Sequence, residues 1–382
     1  MQFNNFDIDA FLQDHWQQKP KLFRNAWSDW QNPVSPDELA GLACEEHVES
    51  RLVAQTAENL AVENGPIPET RFGDLGRENW TLLVQAVDHY VPEVAALIEP
   101  FRFIPNWRID DVMVSFASDG GGVGAHYDQY DVFLVQGSGK RRWQVGEMCN
   151  ESTELLEHDD LRLLANFEAS EEWVLEPGDM LYVPPGISHN GVAVGDDCMT
   201  YSIGFRAPSK SDLIGYWADD LLAEMNDDDR YRDAGLKPQT NPGEMSGKAI
   251  DRLHAMITEK MADREAFANW FGKYNSTPKY PDVDWRPEEE MTAAEMHAFI
   301  ESGHRLQRNP ASRLSYIERT PDSVSLFADG KQFECTAGAA NLAQQICAQS
   351  QPQIGKAVIA SDNAAALVTA LYNQGSLFFE SA

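Results

Sequence analysis

The chain has 382 residues, 43% of them apolar, with ten tryptophans, which suits two or three domains with a sizeable core. Its 61 acidic and 30 basic side chains leave a formal charge of −31; this argues against direct nucleic-acid binding, which needs clustered Lys and Arg, and suits either a basic protein partner or solubility in a salty cytoplasm. Cys44, Cys149, Cys198, Cys335 and Cys347 are widely spaced and unpaired in pattern, as in a cytoplasmic protein without disulfides or a zinc site; no basic-then-apolar leader and no membrane-length apolar run of about 18 residues is visible.

Residues 9–17 predict a short amphipathic helix with Phe11, Leu12 and Trp16 facing inward. Ser35-Pro36-Asp37-Glu38 predicts a second, with serine as cap, proline at N1 and Glu38 closing a capping box. A strand at 51–54 and a turn at 66–68 follow. The apolar spacing of Leu82, Leu83, Ala86, Val87 and Tyr90 predicts a helix over 80–90. His89 within it reads as a packed histidine, because no acid stands at ligand spacing.

From Trp107 the pattern changes to short strands, at 112–116, 130–135, 142–145, 172–175, 179–183, 191–194 and 199–205, with Gly and Pro at the bends. Such a series predicts a barrel or jelly roll able to enclose a small cofactor. Inside it a glycine run, Gly120 to Gly122 with Gly124, precedes His126, Tyr127 and Asp128. A lone His-x-Asp is common by chance, but on a strand the two side chains share one side and can grip one metal. His189, just past Pro184-Pro185-Gly186, supplies a third ligand. Two histidines and a carboxylate with the other positions open form the ligand set of a non-haem Fe(II) oxygenase.

Downstream of Asp128, a strand at 132–136, a turn at Gly137-Ser138-Gly139 and a return strand carrying Lys140, Arg141, Arg142 and Trp143 predict a cationic β-hairpin. An oxygenase of this kind takes 2-oxoglutarate as cosubstrate, whose distal carboxylate needs a buried cation. Arg141 shares a face with Trp143 and Val145, whereas Lys140 and Arg142 share the polar face, so Arg141 is the candidate. The acidic stretch 151–160 includes His158 beside Asp159 and Asp160 and reads as a solvated loop.

Beyond Pro208 the chain predicts a helix at 210–225, an acidic connection at 226–246, and one or two helices over 248–274. Their apolar stripe is Leu253, Met256, Ile257, Met261, Phe267, Trp270 and Phe271. Residues 276–290, rich in Pro and acids, read as a linker. The remainder alternates helix and strand: a capped helix at 292–302, strands at 314–318 and 324–327, a turn at Asp329-Gly330, helices at 339–347 and 364–371, and a last segment at 377–380. Helices on a small antiparallel sheet fit a winged helix; with few basic residues outside 305–319, it reads as protein-contacting or structural. The division is thus 1–209 (barrel with N-terminal helices), 210–290 (helical segment and linker) and 291–382 (winged-helix-like).

The runs GGGVGAHYDQYDVFLVQGSGKRRWQVG, EPGDMLYVPPGISHNGVAV and MTYSIGFRAPS, with FLQDHWQQKPKLFRNAW, ELAGLACEEHVESRLV and WTLLVQAVDHY upstream, resemble the bacterial JmjC-type ribosomal oxygenases. Those enzymes hydroxylate an arginine of the sixteenth large-subunit ribosomal protein. The resemblance runs from Phe11 to about Ser209 and is weaker beyond. It implies a double-stranded β-helix, iron held by His126, Asp128 and His189, and 2-oxoglutarate held by Arg141. It also implies a polar contact to the cosubstrate's C1 carboxylate from Thr200, where an asparagine is more familiar, a homodimer formed through the helical segment, and a winged helix. Asp119, at the mouth of the glycine run, and Ser202 are candidates for holding a substrate guanidinium. With dioxygen at the remaining position, 2-oxoglutarate would be converted to succinate and carbon dioxide as a C–H bond is hydroxylated. The same chemistry on a ribosomal histidine or a small molecule, and a cupin-like protein that binds metal without turnover, are the alternatives.

Overall fold

A computed structural model describes residues 2–4, 6–55, 60–226, 228–350, 352, 354–356, 359 and 361–380. Backbone contacts divide the chain into two units, Met1–Ala207 with Asp282–Trp285 and Arg308–Ala311, and Pro208–Pro281 with Arg286–Gln307 and Ser312–Ala382. The first contains α1 (Ile8–Asp14), β1 (Lys21–Phe23), α2 (Pro36–Ala43), β2 (Ser50–Gln55), β3 (Leu60–Asn64), α3 (Glu69–Gly73), β4 (Trp80–Val84), α4 (Pro92–Ala95), β5 (Ile109–Ala117), β6 (Asp131–Met148), β7 (Glu171–Leu175), β8 (Met180–Val183) and β9 (Ile187–Phe205). The strands form one antiparallel sheet in the order β1-β8-β6-β9-β5-β4-β2-β3, with β7 also on β6.

β6 and β9 pair along their whole length, from Asp131 opposite Phe205 to Met148 opposite Ile187, and form the spine of the jelly roll. Their outward side chains, Phe133, Val135, Met199, Tyr201, Ile203 and Phe205, join Phe11, Phe101 and Tyr182 in an apolar core under the N-terminal segment. Phe133 is in ring contact with Phe101 at 4.7 Å and with Tyr182 at 4.9 Å. The inward side chains Val132, Leu134, Trp143 and Val145 meet Leu175, Leu181 and Val183 in a second cluster. Asp131, wholly buried, accepts from the Tyr182 hydroxyl at 2.6 Å, Gln17 Nε2 at 2.9 Å and Arg108 Nη2 at 3.0 Å. A buried carboxylate so surrounded ties the N-terminal segment to the spine.

The capping box of α2 forms as its sequence predicts: Glu38 N donates to Ser35 Oγ, and Ser35 N donates to the Glu38 carboxylate at 2.8 Å. Three other expectations are corrected. The 9–17 helix ends at Asp14, and Leu12 is 37% exposed while Phe11 is buried. Residues 80–90 are not a helix. Trp80–Val84 is a strand between β2 and β5, and Ala86, at φ 51°, leads into a short 3₁₀ turn, Val87–His89. The short stretch Trp80–Val84 fits both periods, and here pairing on both edges decides. His89 is packed, at 8% exposure.

The third correction concerns the hairpin. Gly137-Ser138-Gly139 does not reverse the chain; β6 continues through it, and residues 141–145 pair with β9 and β7 instead. The glycines serve a local irregularity. Gly139 sits at φ 60°, and a Cβ there would strike the Asp197 carbonyl. Gln136 opposes Thr200, Ser138 opposes Met199, and Lys140 opposes Val194, so both strands lose register at the same level. The even-numbered inward positions of β6 therefore become odd-numbered, which turns Arg141, Trp143 and Val145 into the barrel.

The second unit contains α5 (Lys210–Glu224), α6 (Gly247–Met261), α7 (Arg264–Ser276), α8 (Ala293–Glu301), β10 (Leu306–Arg308), β11 (Leu314–Thr320), β12 (Ser323–Ala328), β13 (Lys331–Thr336), α9 (Gly338–Ala348), α10 (Asp362–Asn373) and β14 (Leu377–Phe379). β11, β12 and β13 form an antiparallel sheet against which α9, α10 and α7 pack. α8 begins with a second capping box, Thr292 with Glu295. The apolar stripe read as core divides: Trp270 is buried with Trp217 and Phe267, but Leu253, Met256 and Ile257 on α6 are 44%, 39% and 67% exposed.

Candidate metal centre

His126 and Asp128 lie on an extended segment, not in a regular strand, contrary to expectation. Backbone bonds clamp that segment to the start of β9. His126 N donates to the His189 carbonyl at 3.0 Å and His189 N to the His126 carbonyl at 2.8 Å, an isolated antiparallel bridge. One residue past the Pro-Pro pair, Gly186 N donates to the Asp128 carbonyl at 2.7 Å. Two stretches far apart in the chain, 126–128 and 186–189, are thus brought together by main chain, and the side chains follow.

The imidazoles lie 4.3 Å apart by ring centroid. Each Nδ1 faces a carbonyl two residues back, His126 to Gly124 at 2.9 Å and His189 to Ile187 at 3.0 Å. A carbonyl only accepts, so each Nδ1 carries the proton and donates, and each Nε2 presents its lone pair. His189 Nε2 is 3.7 Å from Asp128 Oδ2. One donor atom from each of His126, Asp128 and His189 lies within 4.8 Å of the others, the one such group of His, Cys, Asp and Glu among the described residues. Burial, and secondarily the charge of His126, push His189 down to about 4 against the opposing pull of Asp128. At neutral pH the ring is therefore uncharged, the form that binds metal.

Arg141 is 3% exposed, on the inner face opposite Ala193. Its Nε and Nη2 have no hydrogen-bond partner among the described residues. A guanidinium buried in that way costs several kcal/mol unless an anion meets it. Lys140, by contrast, is exposed and paired with Glu176 at 2.6 Å, and Arg142 is exposed, as strand parity requires. A facial N,N,O donor set beside an unpaired buried guanidinium fits a divalent metal with a dicarboxylate keto acid.

Thr200, 1% exposed, faces Gln136 across the spine and reaches its Oε1 at 3.4 Å. Gln136 went unremarked in the sequence, although its polar side chain is wholly buried. Asp119 is exposed and its Oδ1 accepts from Gly195 N at 2.6 Å, so it braces the irregular stretch of β9. Ser202 is half-buried between Met113 and Leu134 in register. Tyr130, read only as a strand start, stands beside Asp128 and is 43% exposed; desolvation of its hydroxyl, then the carboxylates of Asp128 and Asp111, push its phenol up. His158 contributes to no ligand cluster: its Nε2 meets the Leu60 carbonyl at 2.8 Å, and its Nδ1 accepts from Asp160 N at 3.0 Å.

Two domain families match, the JmjC domain over residues 96–213 and a ROXA-like winged helix over 259–378. A "Ribosomal protein uL16 3-hydroxylase" of Escherichia coli (strain K12) is 39% identical, over 97% of each chain. A "Probable ribosomal oxygenase" of Haemophilus influenzae is 38% identical over 69% of this chain and 66% of its own. The X-ray structure of E. coli YcfD superposes with TM-score 0.90 at 36% identity, over all of both chains. YcfD in complex with cobalt and 2-oxoglutarate gives TM-score 0.87, covering 100% of this chain and 99% of that one. Identity at that level over nearly the full length means that the chain belongs to the JmjC ribosomal oxygenases.

Proposed function

We propose that this chain is an Fe(II)- and 2-oxoglutarate-dependent hydroxylase of an arginine side chain in the large-subunit ribosomal protein uL16. The observation that carries the reading is the buried Arg141 guanidinium, whose Nε and Nη2 have no hydrogen-bond partner among the described residues, on the barrel face that presents His189 of the His-Asp-His donor set. The protein name of the E. coli relative supports uL16 as substrate. Fe(II), when bound with the cosubstrate, supplies dioxygen activation coupled to decarboxylation of 2-oxoglutarate to succinate.

The residues divide the remaining work. His126, Asp128 and His189 hold the metal on one side, with the Nδ1 bonds to Gly124 and Ile187 keeping each ring in place. Arg141 takes the distal carboxylate of the cosubstrate, and Thr200 orients the C1 carboxylate, itself steadied by Gln136. Val132, Leu134 and Val183 exclude water from the barrel. Asp119 and Ser202 take the substrate guanidinium; Asp119 does so with the carboxylate oxygen that Gly195 leaves unused. The formal charge of −31 steers a basic ribosomal protein toward the chain. The exposed apolar side chains of α6 form a homodimer face, the winged helix serves protein contact, and the enzyme works in the cytoplasm. Among the described residues no helix is long and apolar enough to cross a membrane.

The test is incubation with Fe(II), ascorbate, 2-oxoglutarate and recombinant uL16. Succinate release with a gain of one oxygen atom on one uL16 arginine is the expected result. Unmodified arginine alongside a modified ribosomal histidine would replace the substrate and keep the chemistry. Absence of succinate formation would leave a metal-binding barrel.

A further inference from the structure

We propose that Trp143 is a second anchor for the cosubstrate, its indole N–H donating to the distal carboxylate that Arg141 holds. This rests on the reading of the site given above. Trp143 is 5% exposed, and its Nε1 has no hydrogen-bond partner among the described residues. A buried indole N–H ordinarily finds an acceptor. Trp27 and Trp217 also lack one, but they stand among aromatic rings, Trp27 with Phe3 and Trp30, Trp217 with Phe267 and Trp270. Trp143 packs in the inner apolar cluster but also has polar neighbours. The Arg141 guanidinium carbon lies 5.6 Å from its ring, and the His189 ring centroid lies 6.0 Å away.

Gly191, opposite Trp143 on β9, makes room for the indole: a Cβ there would fall 2.6 Å from Cη2 and Cζ3, so the six-membered ring rests against the bare glycine. Arg141 and Trp143 share one face of β6 with the guanidinium carbon 5.6 Å from the ring, and Arg141 Nε, Arg141 Nη2 and Trp143 Nε1 are all buried without a hydrogen-bond partner among the described residues. A carboxylate offers two oxygens and about four lone-pair directions. A guanidinium fork uses two of them, which leaves acceptor capacity for one more N–H. The arrangement selects a keto acid that carries a second carboxylate, because a keto acid ending in a methyl group would leave all three donors unmet.

The experiment is calorimetric titration of the Zn(II)-loaded full chain, wild type and Trp143→Phe, with 2-oxoglutarate and with 2-oxopentanoate, which has the same carbon skeleton without the distal carboxylate. We expect Trp143→Phe to weaken 2-oxoglutarate by about ten-fold and to leave 2-oxopentanoate and Zn(II) affinity unchanged. Equal weakening of both keto acids, or none for either, overturns the proposal. Should the variant not fold, wild-type protein labelled at the indole nitrogens serves: 2-oxoglutarate is expected to move one indole N–H resonance downfield and 2-oxopentanoate to leave it in place. No indole response to 2-oxoglutarate overturns the role of Trp143 while the reading of the site stands. Failure of the wild type to bind 2-oxoglutarate at all sinks that reading, and the proposal with it.

Discussion

The two faces of the β6–β9 spine follow opposite rules. On the outer face rings pack on rings, and the buried Asp131 carboxylate is met by Tyr182, Gln17 and Arg108. On the inner face Arg141 Nε and Nη2 and the indole N–H of Trp143 are buried without hydrogen-bond partners among the described residues. Both faces share one backbone and one set of ladder bonds. Both faces bury apolar clusters, but the outer one meets its buried charge from within the fold, and the inner one leaves buried donors for a ligand.

The sharpest way to break this comparison is to exchange the consequences. Phe133→Ala, on the outer face, is expected to cost about 3–5 kcal/mol of stability, read by denaturant unfolding; a loss below about 1 kcal/mol would mean that the outer face is not the stabilising one. Arg141→Met, on the inner face, is expected to weaken 2-oxoglutarate by about 100-fold, equivalent to about 3 kcal/mol, while the ligand-free melting temperature holds or rises, because an uncompensated buried charge is removed. A melting temperature that falls with the affinity would assign Arg141 a structural role.

Acid sharpens the same contrast more gently. His189 ionises near 6.5 when unfolded and near 4 when folded, so below about 6.5 the unfolded chain binds more protons. The metal-free protein should lose stability as pH falls from about 6.5 toward 4, and a His189→Gln variant should lose less over that window. Equal acid sensitivity of the two would remove His189 from the account. The smallest effect is expected for Arg142→Ala, whose exposed side chain points away from the barrel: a change within about 0.5 kcal/mol in stability and none in 2-oxoglutarate affinity, checked by the same two measurements.

Much of the site was legible before any coordinates. His126, Asp128 and His189 converge as their types and context suggest, and the parity that set Arg141 with Trp143 and Val145 holds. What local pattern did not carry was long-range pairing. Three glycine and serine residues that read as a hairpin turn are an irregularity inside one strand, because the residues beyond them find their partners on β9 and β7. Residues 80–84 read as helix because their apolar spacing satisfies two periods, and only β2 and β5 on either side resolve it. The wholly buried Gln136 gave no signal, since a polar residue in an apolar strand resembles any outward position until the sheet curls around it.

The paired irregularities near Ser138 and Gly195 also act as a counting device. Every position of β6 beyond Gly139 owes its side to one step taken there, so deleting Ser138 would present Arg142 inward and hand Arg141 to solvent without altering either residue. Length changes in the acidic loop after Met148 leave that phase untouched. Within this spine, the number of residues matters as much as their identity.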